Sequence, residues 1–305
     1  MRLSDTSRKG FQLLTIGIPN YNQVAGLRLQ ENEMRAISQI PGVEILVSDN
    51  NSSDGSLNYL ADNWSSFARI LRSEINIGFQ SNARKLVNSS ASDWVWILGA
   101  GDQISPTMVR GISETLVTTR EEVKLVLGGR AKYKLIAPFI SESIWRRVEL
   151  SEAMETAPIG DTWPQIHWSL ELTRNFGPKA VVQFSDLHVE PYRAEDDWHV
   201  TGLMSPVSRG LHEVFAAETR NHTCRDELAH DLSIIRKTLL RWYIQDRLNG
   251  KVAGFNPHLA YAIRHSGLPF SNWILRLTAI YLSYCPQIIF EWLRKYRRPL
   301  SRIKN

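Results

Sequence analysis

"DWVWILGAGDQISP", residues 93–106, is the stretch on which the reading of this chain turns. Residues 94–98 are apolar without alternation and rich in aromatic and β-branched side chains, the pattern of a strand buried on both faces. The run stops on Gly-Ala-Gly-Asp, a turn that carries a single carboxylate, Asp102. A strand of this kind belongs in a parallel sheet covered by helices, and in such sheets ligands sit beyond the carboxyl ends of the strands. The glycine-rich turn and its lone acid therefore fall where a functional loop is expected.

The segments upstream repeat the arrangement. "FQLLTIGIPNYN" (11–22) is a β-rich run stopped by Pro19 and polar turn residues, and residues 24–40 then show helical spacing through Leu27, Met34 and Ile37. "VEILVSDNNSSDGS" (43–56) is a second apolar strand ending at Asp49, and its polar cluster 52–55 opens a helix through Leu57, Leu60 and Trp64. A short strand at 69–72 leads to "NIGFQSNARKLVNSSA" (76–91), a loop entering a third helix. Strands alternating with helices imply βαβ units with right-handed crossovers, so the expected fold is α/β with a mostly parallel sheet flanked by helices. The loops 19–22, 49–53, 76–79 and 99–102 then converge on one crevice.

Beyond Pro106 the spacing predicts a helix to about 118, a strand at 123–127, and strands around 180–182 and 187–192. From about 207 the pattern is mainly helical, with Leu228, Leu232, Ile235, Leu239 and Trp242 in near-heptad spacing. The expected division is a ligand-binding and catalytic domain over 1–206 and a helical C-terminal region over 207–305. There is no internal repeat.

Hydrophobic content of 43% and charged content of 22% are those of a folded globular chain. The two cysteines, Cys224 and Cys285, lack the spacing of a disulfide framework or a zinc cluster, which fits a reducing compartment. No apolar run of signal-peptide length precedes the first strand, so a cytoplasmic location is expected. The net charge of +5 is local: the tail "RKYRRPLSRIKN" (294–305) holds six Lys or Arg and no acid, and the rest of the chain sums to −1. Basic and aromatic residues do not interleave through the body, which argues against nucleic acid as a partner. The stretch 272–298 is interrupted by Arg276, Pro286, Gln287 and Glu291 and is no clean span. With Trp273 and Trp292 near its ends and the basic tail behind it, it suits a helix lying in a membrane interface. A helix hairpin in the soluble core is the equal alternative.

The strand-end residues resemble glycosyltransferase family 2, the inverting nucleotide-sugar transferases of the GT-A fold, a Rossmann-like α/β architecture. The likeness runs in order over about 13–106. "TIGIPNYN" is similar to that family's opening strand and turn, "ILVSDNNSSDGS" to its first acidic segment, and "NIGFQSNARKLVNSSASDWVWILGAGDQISP" to the helix leading into its metal-binding DxD loop. The resemblance implies a nucleotide pocket lined by Pro19, Asn22, Asp49, Asn76, Gly78, Arg84 and Gly101. In it Asp49 reads the base and Arg84 reaches a base or phosphate. Asn82 has a lesser, orienting part, and Asp54 reads instead as a turn or helix cap. An Asx-type turn cap is the structural alternative for Asp49.

In the family the DxD acids grip a Mg²⁺ or Mn²⁺ ion that binds the nucleotide diphosphate. Here Gly99 and Gly101 occupy two acidic positions and Asp102 alone remains as the expected metal ligand. A metal-independent site stays open beside it. Inverting transfer also needs a base for the acceptor hydroxyl. The resemblance puts an acid ahead of a helix near "IGDTWPQIHWSLELTRNFG" (159–177), which makes Asp161 the candidate, with Trp163 and His167 as weaker contacts to acceptor or diphosphate. Asp161 also reads as a helix N-cap before Pro164. Asp196 and Asp197 are rival bases that read more simply as an exposed acidic turn.

The implied activity is transfer of a sugar, first guess from a UDP-sugar, to a glycan or polyprenyl-linked acceptor in bacterial surface-polysaccharide synthesis, at the inner face of the cytoplasmic membrane. A nucleotidyltransferase is disfavoured because "PNYNQVAG" (19–26) lacks a glycine-rich phosphate loop with its basic residue. A non-catalytic GT-A-like scaffold whose DxD loop has degenerated is the other reading.

Overall fold

The computed structural model describes residues 12–128, 133–137, 140–156, 164–190, 192, 224, 226–231 and 234. The chain divides into two compact units, 1–192 and 193–305. In the second unit the described residues form a helical turn in which Leu228 N–H donates to the Cys224 carbonyl.

The first unit is a seven-stranded sheet flanked by helices. Its elements in chain order are β1 (Leu14–Asn20), α1 (Val24–Ile37), β2 (Val43–Asp49), α2 (Ser56–Asn63), β3 (Arg69–Arg72), α3 (Gly78–Ser89), β4 (Trp94–Ile97) and α4 (Pro106–Thr118). They are followed by β5 (Leu125–Gly128), β6 (Ser143–Arg146), α5 (Arg147–Thr156), α6 (Pro164–Phe176) and β7 (Val181–Phe184). The strand order is β3-β2-β1-β4-β6-β5-β7. Strands β1 to β4 are mutually parallel, as expected, and β7 is parallel to β5. β6 runs antiparallel to both of its neighbours, β4 and β5.

The register aligns the functional ends. Asn20 at the close of β1 stands opposite Asp49 at the close of β2, which stands opposite Arg72 at the close of β3. The sheet sits in an apolar core to which β4 contributes Trp94, Val95, Trp96 and Ile97, all fully buried. Burying such side chains stabilises by about 1.5–3 kcal/mol each, so the position of the following turn is tied to the strongest part of the core. Ser105 caps α4 by accepting from Met108 N–H at 3.1 Å with Pro106 at the first helical position, so the chain leaves the turn straight into a well-started helix.

Sequence spacing did not anticipate β6 and α5. β6 is four residues, "SIWR", and acquires strand structure from non-local pairing with β4 and β5 rather than from a pattern of its own. The strand expected at 187–192 is reduced to one antiparallel bridge between Gln103 and Glu190.

Candidate active site

The turn 99–102 is closed by Asp102 N–H donating to the Gly99 carbonyl at 3.1 Å. Gln30 Nε2 holds it from α1, donating to the carbonyls of Gly99 (2.8 Å) and Asp102 (2.6 Å). Gln30 is fully buried in a stripe otherwise formed by Leu27, Met34 and Ile37. That polar residue within an apolar stripe was the sequence signal for this role, and the sequence reading passed over it. From the other side Gly99 N–H donates to Ser141 Oγ (3.1 Å), whose hydroxyl donates to Asp102 Oδ2 (2.5 Å). Trp96 Nε1 fixes the Ser141 carbonyl at 2.7 Å. The remaining carboxylate oxygen, Asp102 Oδ1, accepts from Tyr192 N–H at 2.8 Å.

Two glycines follow from this geometry. A Cβ at Gly99 would lie 2.7 Å from Asp102 Oδ2, and Gly101 has φ +100° with a Cβ position 2.5 Å from the Tyr192 ring. Neither site accepts a side chain without displacing the carboxylate or the ring. Burial raises the Asp102 pKa above the ordinary aspartate range, and the bonds from Ser141, Tyr192 and the Gly99 backbone oppose that rise without cancelling it.

The loops after β1 and β2 are laced together. Asn20 Nδ2 donates to Asp49 Oδ1 (2.8 Å), and Asp49 Oδ2 accepts from Ser52 N–H (3.0 Å). Asp49 is fully buried. Its carboxylate therefore caps its own loop in the Asx manner and joins the ends of β1 and β2 through Asn20. Asn22, at φ 54°, accepts from Ser53 N–H at 2.8 Å through Oδ1, and its own N–H donates to Ser52 Oγ at 2.9 Å. Asp54 caps two helices at once, accepting from Val24 N–H at the start of α1 (2.8 Å) and from Ser56 N–H at the start of α2 (3.0 Å).

Asn50 Nδ2 donates to Asn76 Oδ1 (2.8 Å) and Asn50 Oδ1 accepts from Ile77 N–H (2.9 Å), which ties β2 to the entry of α3. Asn76 Oδ1 also accepts from Gly78 N–H at 2.9 Å. Asn82 grips Ser48 twice, accepting from Oγ at 2.6 Å and donating to its carbonyl at 3.0 Å. Tyr21 and Ile75 are left exposed on these same strand-end loops, and Phe79 in the first turn of α3. The sequence reading did not single them out. Their signal was large apolar side chains among polar residues.

Arg84 has partners on α5 that the sequence did not show. Its guanidinium donates to the Met154 carbonyl at the C-terminal end of α5 and pairs with Glu155 at 3.3 Å. α5 was not anticipated, so the helix end that claims Arg84 was invisible in sequence. The end of a helix carries unpaired carbonyls and partial negative charge that a nearby guanidinium satisfies. His167 is half-buried on α6. Asp161, Trp163, Asp196 and Asp197 lie outside the described residues, as do 272–298 and the basic tail.

Among the described residues no three His, Cys, Asp or Glu side chains converge to hold a metal ion. Asp102 is the one acid of the turn, and each of its oxygens already accepts one bond. An ionised carboxylate keeps further lone pairs, so Asp102 suits a Mg²⁺ or Mn²⁺ ion that draws its other ligands from phosphate oxygens and water, the habit of Mg²⁺ at nucleotide sites. No helix among the described residues is long and apolar enough to cross a membrane.

Residues 15–157 match the family model for glycosyl transferase family 2. No curated protein matches the chain in sequence. Solved structures share its fold. A mannosyltransferase, PcManGT from Pyrobaculum calidifontis, solved with GDP-Man and Mn²⁺, is 14% identical with TM-score 0.59, covering 95% of this chain and 88% of that one. Residues 1–349 of TarS from S. aureus, solved with UDP, are 13% identical with TM-score 0.53, covering 94% and 93%. Glucosyl-3-phosphoglycerate synthase from Mycobacterium tuberculosis, solved with Mn²⁺, UDP and glucosyl-3-phosphoglycerate, is 15% identical with TM-score 0.52, covering 68% and 81%. The fold is of the GT-A type.

Proposed function

We propose that this chain is an inverting glycosyltransferase that moves a sugar from a nucleoside diphosphate sugar to a hydroxyl of a glycan acceptor. The observation that carries the reading is the tethered Asp102 in the turn after β4, a strand parallel to β1, β2 and β3 whose own end loops are laced together, inside the 15–157 segment that matches glycosyl transferase family 2. Solved relatives in fold hold GDP-Man with Mn²⁺, UDP, and UDP with Mn²⁺, which supports a nucleoside diphosphate donor and a divalent cation here. A UDP-sugar is the first choice of donor.

In this reading the nucleoside lies against the loops of Pro19, Asn22, Asp49, Asn76 and Gly78, and the diphosphate lies toward Gly101 and Asp102. Asp102 would hold a divalent cation, which would supply positive charge against the leaving diphosphate. Asp161 accepts the proton of the acceptor hydroxyl as its oxygen attacks the anomeric carbon in line with the departing diphosphate. The new carbon–oxygen bond forms as the bond to the diphosphate breaks, with its electron pair leaving on the phosphate oxygen, and configuration inverts. Trp163 and His167 contact acceptor or diphosphate. The acceptor is a lipid-linked glycan of surface-polysaccharide synthesis. The stretch 272–298 and the six cations of 294–305 hold the protein peripherally to an anionic inner-membrane surface.

A scaffold without catalysis is the second reading, favoured by the two bonds that already occupy the Asp102 oxygens. Thermal unfolding with UDP-, dTDP-, GDP- and CDP-sugars, each with and without Mn²⁺, separates the two. A ligand at about 100 times its Kd stabilises the native state by about 2.7 kcal/mol. The transferase reading expects a rise for one base, larger with Mn²⁺, together with slow release of nucleoside diphosphate. A flat response across the panel leaves the scaffold.

A further inference from the structure

We propose that Tyr192 is a positioning residue of the donor site, clamping the 99–102 turn so that Asp102 presents its carboxylate in one place. The clamp stands on geometry alone, and its consequence for donor binding rests on the glycosyl-transfer reading.

Three contacts made by one short segment converge on the turn. Gln103 and Glu190 exchange backbone hydrogen bonds, at 2.9 Å from Gln103 N–H and 3.0 Å from Glu190 N–H. Tyr192 N–H donates to Asp102 Oδ1 at 2.8 Å. The Tyr192 ring lies over Gly101 so closely that a Cβ there would sit 2.5 Å from Cγ and 2.6 Å from Cδ1. The segment itself is anchored, because Leu187 and Val189 are buried in the core and His188 N–H donates to Met108 Sδ at 3.3 Å.

Gly101 and Tyr192 are thus a matched pair. The bare Cα at 101 is what lets the ring seat, and the seated ring is what brings the Tyr192 N–H to the carboxylate. Of the two donors on the Asp102 side chain, Ser141 is carried by the turn preceding β6 and Tyr192 by the 187–192 segment. Acting through Asp102, Tyr192 sets how well the site receives the diphosphate end of a donor. Residue 101 is therefore a glycine for packing reasons as well as for its φ of +100°.

The test uses the full chain and four variants: Tyr192→Ala, Tyr192→Phe, Gly101→Ala and the double Gly101→Ala/Tyr192→Ala. Directly packed residues couple strongly, so each alanine single variant is expected to weaken UDP-sugar binding about tenfold and the double variant by no more than the worse single. Tyr192→Phe keeps the ring and the N–H and is expected to bind as the wild type. A double variant that loses the product of the two single effects overturns the matched pair, and a Tyr192→Phe defect makes the phenol a direct ligand contact instead. Amide hydrogen exchange over 99–103, measured without nucleotide, is a second readout. It should quicken about tenfold in Tyr192→Ala and not in Tyr192→Phe. Unchanged protection overturns the clamp whatever the protein binds. Quickened exchange in a protein that binds no nucleotide sugar overturns only the donor-site role.

Discussion

Replacing Gly99 by aspartate would rebuild, on paper, the acidic loop that the chain lacks. The geometry predicts the opposite of a gain. A Cβ at 99 lies 2.7 Å from Asp102 Oδ2, inside any real Cβ contact, so the Asp102 side chain must leave Ser141 or the turn must open. Overpacking a tight site costs about 1–3 kcal/mol. Gly99→Ala isolates that cost. Gly99→Asp adds a second carboxylate about 4 Å from the first, a repulsion of about 4 kcal/mol at an effective dielectric constant of 20, relieved when one acid takes up a proton. The alanine variant is therefore expected to lose about 2–12 °C in Tm, at about 2–4 °C per kcal/mol for a unit of this size. The aspartate variant should lose more, with the excess largest near pH 8 and shrinking toward about pH 4, where carboxylates protonate. Thermal unfolding of both variants across that range measures it. Equal stability of the aspartate and alanine variants at pH 8, or an alanine variant as stable as the wild type, would refute the reasoning.

The other expectations are shorter. Asp102→Asn keeps an acceptor for Tyr192 N–H and a partner for the rotatable Ser141 hydroxyl, so the free energy of unfolding should hold within about 1 kcal/mol while sugar transfer disappears; retained turnover removes Asp102 from the chemistry. For Asp54, desolvation pushes its pKa up, but bonds from the Ser56 hydroxyl and the Val24 and Ser56 N–H groups outweigh it and leave the value below the ordinary range. Its contribution is then present above the unfolded value of about 3.9 and is lost as pH falls through the folded value. Asp54→Asn should flatten the acid limb of stability against pH, and an unchanged limb would deny the double cap. Arg84→Ala should cost about 1 kcal/mol of stability by exposing the end of α5 and leave donor Kd alone; a weakened Kd in calorimetry would return Arg84 to the nucleotide site. Asp161→Asn should lower kcat far more than donor affinity, and a matching loss of donor binding would take Asp161 out of the base role.

The sequence by itself determined the parallel half of the sheet. Predominantly apolar runs in β1, β2 and β4, each stopped by polar or glycine-rich residues, specify buried strands with loops gathered at one end. Helices α1 and α2 announced themselves by apolar spacing and by the polar cluster 52–55, because a local pattern is enough to write a helix. β6 escaped because four residues with no alternation of their own become a strand only when β4 and β5 offer paired edges.

The same division runs through the candidate site. That Asp102 closes the β4 turn was legible, since both residue type and loop position are written in the chain. What surrounds Asp102 was not. Gln30, Ser141 and Tyr192 come from 72 residues before it, 39 after it and 90 after it, and they meet there only because α1, the turn before β6 and the 187–192 segment are packed against one strand end. Tertiary structure likewise joined Asp49 to Asn20 across two strand ends and gave Arg84 a partner at the end of α5. Sequence spacing specifies where a side chain stands along its own element, whereas the partner that saturates a buried polar group is chosen by distant elements brought within hydrogen-bond reach.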